Sequence, residues 1–131
     1  KLKSQKGKQV RVLNYFIIVF KKNLYIQKRF KKDIWKNLYE FPLLECENNL
    51  KPSKKSISML FKEITILNYI LSKKEIHQLS HQTLYIYFWK ITCLKLQEKK
   101  STILLKVPLN QLSAYPFPKP ITKYLTQNLI T

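Results

Sequence analysis

Glycine is almost missing from this sequence: among 131 residues, Gly7 is the only one. Phosphate loops of the P-loop or dinucleotide-binding kind need backbone without Cβ atoms close to the phosphate, so those nucleotide folds are excluded. Carboxylates are scarce too, limited to Asp33, Glu40, Glu45, Glu47, Glu63, Glu75 and Glu98, and they are scattered. A hard-cation site needs several oxygens that converge, which on a helix means acids three or four residues apart on one face. Two cysteines, Cys46 and Cys93, lie too far apart and are too few for a zinc or iron–sulfur centre, so no cofactor is expected in this chain and both read as free thiols in a reducing cytoplasm. No apolar run reaches the roughly 20 residues that cross a bilayer. The run from Leu13 to Phe20 already contains Asn14, so no membrane partner and a cytoplasmic protein are expected.

What the chain does have is positive charge and core-forming residues. The hydrophobic fraction of 45% and aromatic fraction of 13% are those of a chain that buries a core. The length suits one domain, expected as a monomer. The net charge of +18 draws polyanions, with nucleic acid the natural partner and binding that falls steeply with salt. The bland reading is that an AT-rich coding sequence inflates Lys, Asn and Ile, because Arg11 and Arg29 are the only arginines. A start at Lys1 without a signal-peptide pattern reads as a piece of a longer protein, with residues 1–9 as linker and 10–131 as the domain.

Periodicity predicts a β-hairpin over Val10 to Phe20 and Leu24 to Phe30, with Asn23 standing where a glycine would serve the turn. A short strand follows around Leu38 to Phe41 and ends at Pro42. Ser53 is a helix N-cap, and Ile57, Leu60, Phe61 and Ile64 repeat at helical spacing, which predicts a helix over 54–65. The segment from Glu75 to Leu96 holds the strongest strand, apolar on both faces from Leu84 to Ile91 and therefore central in a sheet. Ile103 to Val107 is a further strand, Pro108 to Ala114 a helical turn, and Ile121 to Asn128 a final helix after Pro120. The sum is α+β, a mixed central sheet flanked by helices. His77 and His81, four apart, would share a metal on a helix, but on a strand they lie about 13 Å apart, so no metal is expected there.

Three stretches taken together resemble one family. Tyr25-Ile26-Gln27-Lys28-Arg29, followed by Asp33-Ile34-Trp35-Lys36-Asn37-Leu38-Tyr39-Glu40-Phe41-Pro42, resembles the strand and "Gly-Leu-Trp-x-Gly-Leu-Trp-Glu-Phe-Pro" passage of the adenine DNA glycosylases of the MutY family, in their C-terminal Nudix-like domain. His77-Gln78-Leu79-Ser80-His81-Gln82 is similar to that family's His-x-Phe-Ser/Thr-His segment, and Leu112 to Pro118 with Ile121, Tyr124 and Leu125 to its closing segment. The three occur in the family's order and spacing. Asp33 and Asn37 stand where the family has glycines, a replacement that Asp and Asn tolerate best because they enter left-handed backbone most readily. Leu79 replaces the family's Phe. The paired glutamates of the Nudix catalytic helix have no counterpart between Lys54 and Leu67, so pyrophosphate hydrolysis is expected to be absent.

The resemblance implies a Nudix-like fold and a non-catalytic domain that recognises 8-oxoguanine opposite adenine in double-stranded DNA. It further implies an N-terminal catalytic domain elsewhere in the parent, which would carry the catalytic acids and an iron–sulfur cluster. On the same ground Ser80 is the residue expected to bond the Hoogsteen edge of the oxidised base, with Leu79 and His81 shaping the loop and contacting sugar or phosphate, and Gln82 counted with them among the lesion- or DNA-binding residues. Lys28, Arg29, Lys36, Lys73 and Lys74 are the candidate phosphate contacts. Trp35, Tyr39 and Phe41 read as core and loop anchors rather than a stacking platform, as do Tyr85, Tyr87 and Trp89. Two other classes stay open: a Nudix hydrolase of damaged nucleotides, and a protein-interaction domain without lesion specificity.

Overall fold

A computed structural model describes residues 8–46, 51–62, 64–97 and 104–128. Seven strands, β1 (Gln9–Phe20), β2 (Asn23–Lys28), β3 (Tyr39–Glu40), β4 (Leu43–Cys46), β5 (Ile64–Gln78), β6 (Gln82–Leu96) and β7 (Leu105–Pro108), form one mixed sheet. Its order is β3-β2-β1-β6-β5, with β4 pairing β1 and β7 pairing β2. The centre is β1 lying parallel to β6, in register from Gln9 opposite Gln82 to Ile18 opposite Ile91. Strands so placed are covered on both faces, hence their continuous apolar runs.

Alternation along β1 and β6 feeds two cores. Leu13, Tyr15, Ile17, Leu84, Ile86 and Phe88 face α2 (Lys119–Asn128), whose Ile121, Tyr124 and Leu125 close that side. Phe88 stacks on Tyr124 with ring centroids 4.4 Å apart. Phe16, Ile18, Trp89 and Ile91 point the other way, toward Ile57 of α1 (Lys54–Leu60) and Phe61. Trp35 and Tyr39 pack against the first core and Tyr87 against the second, and Phe41 and Trp89 are buried in the same two cores; Tyr85 is half-buried.

The expected hairpin, the short strand before Pro42, the central strand, the 3-10 turn (Leu109–Ala114) and the final helix are all present. Ser53 caps α1 through a reciprocal capping box with Ser56. Other expectations are corrected. The helix stops at Leu60 and not at residue 65, because Ile64 already enters β5 and contributes its apolar side chain from a strand. The segment from Glu75 to Leu96, expected to hold one strand, carries the end of β5 and all of β6, joined by a tight turn, and β5 reaches back to Ile64. Gln9, expected in a linker, is the first residue of β1; residues 1–7, Glu47, Asn48, Asn49, Glu63, Glu98 and Ile103 lie outside the described residues.

The first hairpin also turns differently. Lys21 and Lys22, not Asn23, carry the positive φ angles, 51° and 64°. This is the two-residue primed geometry that matches strand twist and normally recruits Asn-Gly. Two lysines hold it against their own preference, so Lys21→Asn with Lys22→Gly is expected to stabilise the fold by about 1 kcal/mol. A higher urea midpoint at unchanged m-value is the reading to look for.

Candidate functional site

The turn between β5 and β6 stands at one end of the sheet. Leu79 donates its N–H to the Gln82 carbonyl at 2.8 Å, and Gln9 donates to the His81 carbonyl at 3.0 Å, so the tip is pinned to its own hairpin and to the start of β1. Neither Ser80 nor His81 has a positive φ, unlike the Lys21-Lys22 turn. Both are exposed, while Leu79 and Gln82 are half-buried and Leu79 packs against the α2-side core. The Ser80 hydroxyl has no partner among the described residues. Apolar anchoring at Leu79 and backbone ties at both ends thus present a serine to solvent at the end of the β5–β6 hairpin.

Beside this tip lies the loop from Phe30 to Leu38. Backbone bonds from Arg29 N–H to the Leu38 carbonyl, 2.9 Å, and from Asn37 N–H to the Arg29 carbonyl, 2.8 Å, close it at its base. Asn37 adopts the left-handed conformation expected of it, φ 70°. Asp33 does not. Trp35 does so instead, φ 60°, an uncommon state for a bulky side chain that persists only where surroundings over-determine it. What over-determines it is visible. The Trp35 ring lies 6.0 Å from that of His77, and Arg29 reaches into the loop to the Ile34 carbonyl at 3.2 Å.

Asp33 has a different task, receiving both arginines of the chain. Arg29 donates to its two carboxylate oxygens at 2.8 and 2.9 Å and to Glu40 at 2.8 Å; Arg11 donates to Asp33 at 3.1 Å and to both oxygens of Glu45 at 2.7 Å. Glu40, 3% exposed, also accepts from Tyr15 and Gln27, each at 2.9 Å. Burial alone would raise the Asp33 pKa, but the hydrogen bonds from Arg29 and Arg11 hold it below its ordinary value. Burial, with the Glu40 charge beside it, drives the Tyr15 phenol well above its usual range. For Arg29, burial works against the charge and the bonds to Asp33 and Glu40 more than restore it. Arg11 is held above its ordinary pKa, first of all by its bond to Glu45.

This corrects one expectation. Arg29 is 6% exposed and its guanidinium is spent on Asp33, Glu40 and the Ile34 carbonyl, so it is a loop-building residue and not a phosphate contact. The candidate lysines scatter. Lys36 is exposed on the loop next to Trp35. Lys28 closes β2 over the rings of Phe30 and Tyr39, at 5.8 and 5.9 Å, on the rim of a cavity of about 580 Å³ whose lining includes Glu40 and Glu45. Lys73 donates to Gln127 of α2 at 2.6 Å, and Lys74 is exposed on β5 opposite Tyr87.

Two residues at the site went unread in the sequence. Lys8 donates to Gln78 at 3.1 Å beside the tip, and Arg11 joins the tip to the loop. For Arg11 a signal existed, since an arginine retained in a lysine-rich chain points to forked hydrogen bonding that lysine cannot supply.

Among the described residues no three His, Cys, Asp or Glu side chains are grouped to hold a metal ion, and no helix is long and apolar enough to cross a membrane.

A family model described as a NUDIX domain matches residues 14–127. An adenine DNA glycosylase of Buchnera aphidicola subsp. Baizongia pistaciae (strain Bp) is 30% identical over 118 residues, which is 86% of this chain and 31% of that protein. The chain therefore spans about a third of the length of the curated relative it matches. Among solved structures, MutT from Methanosarcina mazei Go1 superposes with a TM-score of 0.63 at 13% identity, over 92% of this chain and 93% of the other. MutT NUDIX hydrolase from Burkholderia pseudomallei gives 0.60 at 17%, over 92% and 99%, and the E. coli ORF135 protein 0.59 at 14%, over 97% and 98%. At such identities these structures share the fold, the expected α+β arrangement of a mixed sheet flanked by helices.

Proposed function

Because this chain belongs to the NUDIX domain family, and its curated relative is a DNA glycosylase, we propose that it is the lesion-recognition domain of a longer adenine DNA glycosylase and works without chemistry of its own in base excision repair. Its ligand is double-stranded DNA with 8-oxoguanine opposite adenine, and its second partner is the catalytic domain of the same protein. The observation that carries this reading is the exposed Ser80 tip, anchored by Leu79 and set in a chain of net charge +18.

The chemistry suits the lesion. Oxidation turns N7 of guanine from an acceptor into an N–H donor and adds a carbonyl at C8, and a serine hydroxyl can both accept and donate. His81 and Lys36 serve sugar and phosphate, while the positive field supplies affinity that is blind to sequence. Cys46 and Cys93, both half-buried on β4 and β6, cannot provide four thiolates, and in this reading the iron–sulfur cluster that the resemblance implies is carried by the remainder of the longer protein. Removal of adenine belongs there as well, and the protein works in the cytoplasm, on the nucleoid.

The MutT neighbours favour a second reading, a hydrolase of damaged nucleotides. Against it, α1 has no acid along Lys54–Leu60, where that chemistry places its metal-binding carboxylates. Titration of the 15N-labelled chain with the lesion duplex separates the two. Amide shifts concentrated at residues 79–82 and 35–36 support lesion reading; shifts confined to lysine-rich strands away from the tip, or magnesium-dependent release of pyrophosphate from an oxidised nucleotide triphosphate, contradict it.

A further inference from the structure

Arg11 donates Nη1–H to the side-chain oxygen of Gln82 at 3.0 Å. An arginine has five N–H donors and no acceptor, so the Gln82 amide has one allowed orientation, oxygen toward the guanidinium. Arg11 itself cannot drift, being 7% exposed and gripped by both oxygens of Glu45 at 2.7 Å and by Asp33 at 3.1 Å. The consequence falls on the other half of the amide. The Gln82 Nε2–H2 group has no partner among the described residues, and none of the buried side-chain polar atoms described is unsatisfied, so this pair of donors reaches solvent. It sits at the base of the tip, two residues from the Ser80 hydroxyl.

We infer that Arg11 and Gln82 form a polarity-setting pair in which Gln82 donates to the C8 carbonyl of the oxidised base and Arg11 is a positioning residue that keeps the donor outward. This rests on the lesion reading above and adds a residue to it. The donor gives the tip a contact that discriminates by itself. Guanine carries C8–H where the lesion carries an acceptor, so on the undamaged base the amide would lose its water and gain no bond. A hydroxyl alone is less selective, since it can accept from N7–H of the lesion or donate to N7 of guanine. Had Gln82 been free to flip, its oxygen would face the carbonyl half of the time and the selectivity would shrink.

The test uses two variants and two duplexes, 8-oxoguanine opposite adenine and guanine opposite adenine, at one fixed low salt concentration. Gln82→Met matches size and charge and lacks the donor. Gln82→Glu keeps the Arg11 contact, so its melting temperature is retained, and it too lacks the donor. Both variants are expected to reduce the lesion-to-guanine affinity ratio about three- to tenfold, Gln82→Met by weakening the lesion duplex alone. A ratio kept at the parent value in either variant, or equal weakening on both duplexes by Gln82→Met, as a phosphate contact would give, overturns the inference and leaves the lesion reading standing. A parent chain with a ratio of one overturns both.

Discussion

Arg29→Met is expected to destabilise the domain by about 3–5 kcal/mol, the usual result of removing one partner from a buried, hydrogen-bonded ion pair. Glu40, 3% exposed, would keep only Tyr15 and Gln27 as donors, and Asp33 only Arg11. A domain of this size has about 5–15 kcal/mol in all, so the variant would sit near the edge of folding. Urea unfolding followed by tryptophan fluorescence measures the loss. The same network gives the pH dependence a definite sign. Asp33 has its folded pKa lowered from 3.8, so its contribution is complete above that value and is lost as pH falls through the lower folded value. Asp33→Asn should therefore flatten the acid limb of stability below about pH 4 while lowering the plateau above it. An Arg29→Met chain as stable as the parent, but with weaker salt-dependent DNA binding, would return Arg29 to the phosphate contacts.

The second large effect concerns the tip. Replacing Ser80-His81 by Asn-Gly installs the turn that two-residue hairpins favour most, so β5 and β6 should stay paired and stability should hold or rise. The hydroxyl and the imidazole are gone, however, and the backbone enters the primed geometry that neither residue adopts now. Discrimination between 8-oxoguanine and guanine opposite adenine is expected to fall to no more than the share that Gln82 supplies, while the salt-governed affinity common to both duplexes remains. Fluorescence anisotropy with the two duplexes reads both quantities. Undiminished discrimination would move lesion reading to another part of the molecule.

These effects differ in how far they could be anticipated from residues alone. The centre of the fold was legible because β1 and β6 are apolar on both faces, a pattern only a buried strand tolerates, and because Ser53 and Pro120 mark helix starts by local chemistry. The edge strand β5 was not. Its register shifts near Ile66 and between Leu71 and Lys73 break the two-residue alternation, and it exposes Leu67, Ile70 and Ile76 while burying little. Alternation is the signal on which strand recognition relies, and a bulged edge erases it.

The candidate site could be picked out as an ordered set of motifs but not as geometry. Residues 79–82 were singled out on resemblance, and the structure sets Ser80 and His81 outward on a tight turn. That Asp33 would gather both arginines, leaving Trp35 to take the left-handed backbone, depends on partners 22 residues away in Arg11 and 4 away in Arg29. Spacing within the loop contains neither. Asp33 and Asn37 stand where the family has glycines, and at Asp33 an ion-pair network outweighs the left-handed preference of the residue type.

The central claim is that a serine-bearing tip on a basic scaffold tells an oxidised purine from a normal one, and its most direct test is binding of this chain to duplexes with 8-oxoguanine or guanine opposite adenine at two salt concentrations. Affinity for both should drop with salt along parallel lines, since phosphate contacts are shared. The lesion duplex should stay tighter by the same factor at each salt. Coincident lines for the two duplexes, governed by salt alone, would contradict the account.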